Sequence, residues 1–166
     1  MQKNTEVMHS SKIIRFETLE KELDIPLSDR VLVGGCFDVL HVGHIRFLRA
    51  AKKKGNSLII ALENDDFIRV KKKREPIYPQ SERAEILTSL SSVDTVILLP
   101  FFQSDKEYMS LVKMICPAVI AVTHDDPYLI HKKKQADQVR GKVIIVIDRI
   151  YARSTSSALY HIQKRL

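Results

Sequence analysis

Glycine and proline are scarce in this 166-residue chain, at five and six residues, which excludes collagen-like and low-complexity disordered classes. Cysteine is scarcer still. Cys36 and Cys116 stand 80 positions apart without metal-type spacing, so reduced thiols are expected rather than a disulfide or zinc centre, and neither is given a catalytic role. Long hydrophobic runs are missing: stretches such as Val143 to Ile147 fall far short of the roughly 20 residues that cross a bilayer, and Met1 to Ser11 lacks the apolar core of a signal peptide. A soluble cytoplasmic protein without a membrane span is the expectation. No Gly-x-x-x-x-Gly-Lys-[Ser/Thr] segment occurs, which argues against P-loop kinase chemistry.

What is present fits one domain with a real core, since 45% of the residues are hydrophobic and the length lies within the usual single-domain range. Lys plus Arg (27) exceeds Asp plus Glu (20), for a net charge of +7. Ten of those cations sit in three runs, Lys52–Lys54, Lys71–Arg74 and Lys132–Lys134. Clustered cations suit nucleic acid, a small polyphosphate or simple solvation of helix ends. No zinc-finger, ribonucleoprotein or KH pattern accompanies them, so no nucleic-acid partner is expected. Lys71–Arg74 is expected to form a phosphate-closing loop, and the other two runs to be ordinary surface.

Past residue 30, short apolar runs alternate with helix-length amphipathic segments. Val31–Val33, Leu58–Leu62, Val96–Leu99, Val119–Val122 and Val143–Ile147 are continuous rather than alternating, as strands buried on both faces of a parallel sheet are. Helices are expected at about 43–54, 80–90, 105–115, 127–139 and 155–165. The alternation predicts an α/β fold: a Rossmann-like, doubly wound, five-stranded parallel sheet in three α/β/α layers, with ligands beyond the carboxyl ends of the strands. Residues 1–29 read as a leader carrying a short helix around Phe16–Leu23, and residues 30–166 as the functional domain.

The first of these strands runs into Gly34-Gly35-Cys36-Phe37-Asp38-Val39-Leu40-His41-Val42-Gly43-His44. Glycines at a strand end let a bound group approach the backbone. A helix beginning near Val42 would place two imidazoles at its first turn, beside free N–H groups and the positive end of the dipole, where phosphate binds. Such a clamp suits phosphoryl or nucleotidyl transfer, which asks chiefly for positioning and charge neutralisation. A zinc site with Asp38 as third ligand and a purely structural histidine pair are the alternatives.

The segment Gly35–His44 resembles the signature of the cytidylyltransferase-like nucleotidyltransferase superfamily, in which the His-x-Gly-His pair binds nucleotide phosphates. The resemblance continues through Arg69–Pro76, Glu82–Leu87 and Val93-Asp94. It is strongest to the adenylyltransferase domain of bacterial ADP-heptose synthases, and glycerol-3-phosphate cytidylyltransferases are nearly as similar. Near the end, Arg149-Ile150-Tyr151-Ala152-Arg153-Ser154-Thr155-Ser156 resembles the family's Arg-Thr-x-Gly-Ile-Ser-Thr-Thr segment. Two positions depart from the pattern: His124 replaces a common glycine in Val122–Tyr128, and Gly34 stands where heptose enzymes carry Asn.

The resemblance implies transfer of a nucleoside monophosphate, with ATP favoured as donor, to a phosphorylated sugar such as heptose 1-phosphate, releasing pyrophosphate. CTP-dependent transfer to glycerol 3-phosphate is the alternative, and a nucleotide sensor without turnover is a further one. His41, His44, Lys72 and Arg149 are the implied catalytic residues. Gly35, Cys36, Phe37, Asp38, Gly43, Arg83, Asp126, Ser154, Thr155 and Ser156 are the implied nucleotide contacts, and Mg²⁺ is implied with the NTP but no protein metal site. A homodimer is also implied, and because adjacent aromatics cannot easily share one core, Phe102 of the Phe101-Phe102 pair is a candidate contact.

Overall fold

The continuous apolar runs form strands whose alternate residues serve two cores. In the computed structural model, which describes residues 12–148, these strands are β2 (Arg30–Gly35), β3 (Ser57–Leu62), β4 (Thr95–Leu98), β5 (Val119–Thr123) and β6 (Lys142–Ile147), all parallel to their neighbours. Leu32, Ile59, Ala61, Ile97 and Ile120 face one layer, and Val31, Val33, Leu58, Ile60 and Val96 the other. Leu19, Leu111, Val112, Ile115 and Ala136 cover the first layer from α1 (Leu19–Glu22), α5 (Asp105–Ile115) and α6 (Leu129–Gln138). Leu48, Ala51, Ala84 and Leu87 cover the second from α2 (Val42–Lys52) and α4 (Gln80–Thr88). This is the expected three-layer, Rossmann-like α/β architecture.

The sheet has six strands rather than five. β1 (Ile13–Arg15), from the leader, pairs in parallel with β4, and the strand order is β1-β4-β3-β2-β5-β6. Three residues carry too little periodicity to announce a strand; a partner 83 residues away makes it one. Lys12 Nζ pins its start to the carbonyls of Thr88 and Val93, both at 3.3 Å. The leader helix is shorter than expected, a 3₁₀ turn over Phe16–Thr18 followed by the single turn of α1.

A further helix, α3 (Asp65–Lys72), occupies part of the basic run. Asn64 caps it, accepting from the Phe67 N–H at 2.8 Å; Asp65 and Asp66 sit in its first turn and Lys71 and Lys72 in its last. Lys73, at φ 53°, ends it in the left-handed conformation. The expected closing loop is therefore a helix end followed by a turn.

Phe102 corrects a second expectation. It is only 3% exposed and meets Phe16 and Tyr108 edge-on, at ring-centroid distances of 5.1 and 5.0 Å. An aromatic locked between two others inside the core is not a subunit contact. Phe101 is half-buried.

The chain leaves β2 toward β3 and β4 on one side and returns to β5 on the other, so the order reverses between β2 and β5. Open α/β sheets hold ligands beyond the strand ends at such a point. Among the described residues no helix is long and apolar enough to cross a membrane. The expected helix at about 155–165 lies outside the described residues.

Candidate active site

Gly35, the last residue of β2, lies close under the Phe37 ring. A Cβ on Gly35 would stand 2.9 Å from the Phe37 ring. Phe37 itself has φ 46°, a conformation that costs a bulky L-residue roughly 1–2 kcal/mol and that clusters at functional sites. The turn delivers His41 to the N-cap of α2, where its Nδ1 accepts from the Gly43 N–H at 3.1 Å. An accepting Nδ1 leaves the proton of the neutral ring on Nε2, a donor free for a ligand. The His44 ring stacks on His41, with centroids 3.8 Å apart, and leans on Phe37 at 5.2 Å.

His44 Nδ1 is buried and makes no hydrogen bond of ordinary geometry, the ring's polar neighbour being the Val39 backbone. Burial, reinforced by neighbouring His41 and opposed by a Val39 backbone hydrogen bond, pushes its pKa down to about 4. Burial also lowers that of His41. Both rings are therefore neutral near pH 7, and they offer hydrogen bonds rather than fixed charge to a polyanion.

These histidines line a cavity of about 350 Å³ at the β2/β5 reversal. Gly35, Cys36, Phe37, Asp38, Gly43, Lys72 and Asp126, all expected from the sequence, line it too. Arg74, from the basic run expected to close on phosphate, and Thr123, from the segment that departs from the family pattern, line it as well, and Asp148 joins them without having been anticipated. Thr123 lies at a register shift between β5 and β6. His124, the departure from the family pattern, is exposed and paired with Asp125 at 3.0 Å, and it does not line this cavity. Arg149, Ser154, Thr155 and Ser156 lie outside the described residues.

Two expected ligand contacts prove to be braces. The Asp38 side chain is 1% exposed; Oδ1 accepts from the N–H groups of Ile77 and Tyr78 at 2.9 and 3.1 Å, and Oδ2 pairs with Arg74. That pins the turn after α3 against the cavity rim and engages both oxygens of the carboxylate that the zinc alternative required. Among the described residues no group of three His, Cys, Asp or Glu could hold a metal ion. Arg83 corrects its expectation outright, because its side chain is fully buried and it lines neither cavity. Its guanidinium donates to the carbonyls of Tyr78 (3.0 Å), Glu63 (2.9 Å) and Cys36 and pairs with Asp65 at 2.7 Å. It ties the ends of β2 and β3 to α3 and to the turn before α4.

A second cavity, of about 300 Å³, opens on the other side of the β2 end. Gly34, Gly35, Cys36, Lys72, Tyr128 and Lys132 line both cavities, so the two share a floor and a pair of cations. Lys132, assigned to ordinary surface from the sequence, bonds Asp126 at 2.7 Å and is one fifth exposed; Lys133 and Lys134 are exposed, as expected. Nothing in a run of three lysines shows which one a helix turns inward. Glu63, just past β3, is 7% exposed in this second cavity. Its Oε1 accepts from Tyr108 Oη at 2.9 Å, while Oε2 has no partner. Burial raises its pKa to about 7 against the opposing pull of the Tyr108 hydrogen bond, Lys132, Arg83 and Lys72. Burial, with Glu63 adding, lifts the Cys36 thiol to about 11, so it stays protonated and inert.

The family model for cytidylyltransferase-like proteins matches residues 32–163. The chain belongs to the cytidylyltransferase-like family. It is a nucleotidyltransferase, as its family relatives are. An FAD synthase of Thermococcus kodakarensis is 45% identical over 112 residues, 68% of this chain and 73% of that protein. A bifunctional protein HldE of Helicobacter hepaticus is 37% identical over 156 residues, which is 93% of this chain but only 31% of that protein. Among solved structures, a lipopolysaccharide core biosynthesis protein of Thermoplasma volcanium superposes with a TM-score of 0.60 at 27% identity, covering 74% of this chain and 98% of that one. The cytidylyltransferase-like match includes the β2–α2 turn and both cavity floors and begins after the leader strand.

Proposed function

We propose that this chain transfers the adenylyl group of ATP to the phosphate of flavin mononucleotide, releasing pyrophosphate and forming FAD. The observation that carries this reading is the pair of cavities on one floor: one lined by the stacked histidines, and a largely apolar one with two lysines at the junction. FAD is an adenylate joined to a flavin mononucleotide, and the FAD synthase relative supports that pairing.

A phosphate oxygen of the acceptor attacks the α-phosphorus, the bond from that phosphorus to the bridging oxygen breaks, and pyrophosphate departs with the electron pair. The acceptor phosphate is largely ionised near pH 7, so the chain need not supply a base. What opposes reaction is the approach of two polyanions. His41 Nε2–H and the His44 ring hydrogen-bond phosphate oxygens at the α2 N-terminus, and Lys72 and Lys132 neutralise charge at the junction. Arg149 and Ser154–Ser156 are assigned to the triphosphate by resemblance. Mg²⁺ accompanying the triphosphate would offset part of its charge; the Asp38 and Asp126 carboxylates are engaged with Arg74 and Lys132, and the resemblance assigns the ion no protein site.

A second reading, transfer to heptose 1-phosphate, is favoured by the HldE relative, whose likeness spans nearly the whole chain, leader included. Pyrophosphate release from ATP, CTP, GTP and UTP against flavin mononucleotide, heptose 1-phosphate and glycerol 3-phosphate separates the readings. ATP with flavin mononucleotide is expected to be the fastest pair. Release with another pair reassigns the substrates, and no release with any pair refutes the transfer reading.

A further inference from the structure

Glu63 and Tyr108 line the second cavity beside its floor, where the Glu63 N–H meets Gly35 and the Glu63 carboxyl lies within electrostatic reach of Lys72 and Lys132. Leu32, Phe102 and Leu111 supply apolar wall to the same cavity. Oε2 of Glu63 is an acceptor removed from water with nothing bonded to it, a state costing about 1–3 kcal/mol unless a partner arrives. Its carboxyl is not adaptable. The Glu63 N–H is held by Gly35 O at 3.1 Å, its carbonyl by Arg83 at 2.9 Å and its Oε1 by Tyr108 at 2.9 Å, so the free oxygen has a fixed aim. Tyr108 is braced in turn by Phe102 and, through it, by Phe16 of the leader.

We propose that Glu63 is the specificity-determining residue for the acceptor, its Oε2 accepting a hydrogen bond from an N–H or O–H of the acceptor's body. The inference rests on the transfer reading above and narrows its acceptor to a phosphomonoester with a flat, mainly apolar body that carries such a donor. A sugar phosphate carries hydroxyls along its whole length and would leave most of them unpaired against Leu32, Phe102 and Leu111. A heteroaromatic ring with one N–H matches both wall and carboxylate. Tyr108 acts through Glu63 as a positioning residue: its phenol donates to Oε1, and burial with the nearby carboxyl raises its pKa, so it stays protonated.

The test uses the full chain, with Glu63→Gln, Glu63→Leu and Tyr108→Phe compared with wild type. Pyrophosphate release gives KM for flavin mononucleotide and for ATP separately, and quenching of flavin fluorescence gives binding without turnover. Glu63→Gln turns an amide N–H toward the ligand's donor or toward Tyr108, so it is expected to raise the flavin KM and Kd roughly 10- to 100-fold, like Glu63→Leu, with the ATP KM unchanged. Tyr108→Phe is expected to move the flavin KM and Kd less and in the same direction. Thermal unfolding establishes that each variant is folded, and Glu63→Gln, the most conservative, decides the matter should Glu63→Leu fail to fold. An unchanged flavin KM in Glu63→Gln, or equal rises for flavin and ATP, overturns the assignment. Wild-type protein that neither binds nor uses flavin mononucleotide overturns the acceptor class, whereas pyrophosphate release with a different acceptor leaves the transfer reading standing.

Discussion

Two buried groups at neighbouring cavities give this protein opposing pH dependences. His44 has an ordinary pKa of 6.5 and a folded value of about 4. Above pH 6.5 it is neutral in both states; below that the unfolded chain takes up a proton that the folded one refuses. Its contribution is present above pH 6.5 and lost as pH falls through about 4, amounting to about 3 kcal/mol. Glu63 runs the other way, with an ordinary value of 4.5 and a folded one of about 7. The folded state holds its proton longer, so its contribution is present below pH 4.5 and lost as pH rises through about 7, again by about 3 kcal/mol. Between pH 4.5 and 6.5 the two slopes cancel.

Replacing one group uncovers the other. Urea unfolding of Glu63→Gln at intervals from pH 4 to 8 is expected to show its stability rising relative to wild type by about 3 kcal/mol between pH 4.5 and 7.5. Comparing each variant with wild type at the same pH removes the background of other titrating groups. His44→Asn is expected to show the reverse, losing ground to wild type by a similar amount as pH rises from 4 to 6.5. A stability difference for Glu63→Gln that stays constant with pH would refute the reasoning, because it would mean that the carboxyl titrates as an ordinary surface group.

His41→Ala and His44→Ala are each expected to lower kcat by roughly 10²–10³ with the fold intact, measured by pyrophosphate release and circular dichroism; unchanged turnover in both removes the phosphate clamp. Lys72→Ala and Lys132→Ala should each depress kcat/KM, while Lys133→Ala with Lys134→Ala leaves it within about twofold, because only the first two line the cavities. Equal effects from both sets would point to general surface charge. Arg83→Met leaves Asp65 and three carbonyls without their donor, so a loss of about 3–5 kcal/mol in urea unfolding is expected, and a loss under 1 kcal/mol would show that the guanidinium is not the brace described.

Much of this molecule is legible in its sequence because parallel strands and a phosphate-binding turn both write themselves locally. Five β-branched runs announce five strands, and Gly35–His44 announces the turn. β1 stays hidden because three residues next to a polar leader show no period. α3 is hidden by its own charge: Phe67, Ile68 and Val70 supply little apolar surface beside three cations, although Asn64 before Asp65-Asp66 is a readable start signal. Arg83 misleads because an arginine in a motif reads as a ligand contact, and only burial shows it bonding carbonyls. Glu63 and Tyr108 stand 45 positions apart and belong to no motif, so the polar pair in the second cavity exists only in three dimensions.

The common floor of Gly34, Gly35, Cys36, Lys72, Tyr128 and Lys132 carries a kinetic consequence. On the transfer proposed above, the two substrates come and go independently before reaction; afterwards pyrophosphate leaves, and the adenylyl and acceptor parts are one molecule spanning both cavities. If either half lets go, the tether holds it at an effective concentration in the millimolar range, which favours rebinding. Departure of the joined product then requires both halves to be released within one rebinding time, and it is expected to be the slow event of the cycle. The same shared floor that lets two phosphates meet without a wall between them gives the joined product a longer residence time than either reactant.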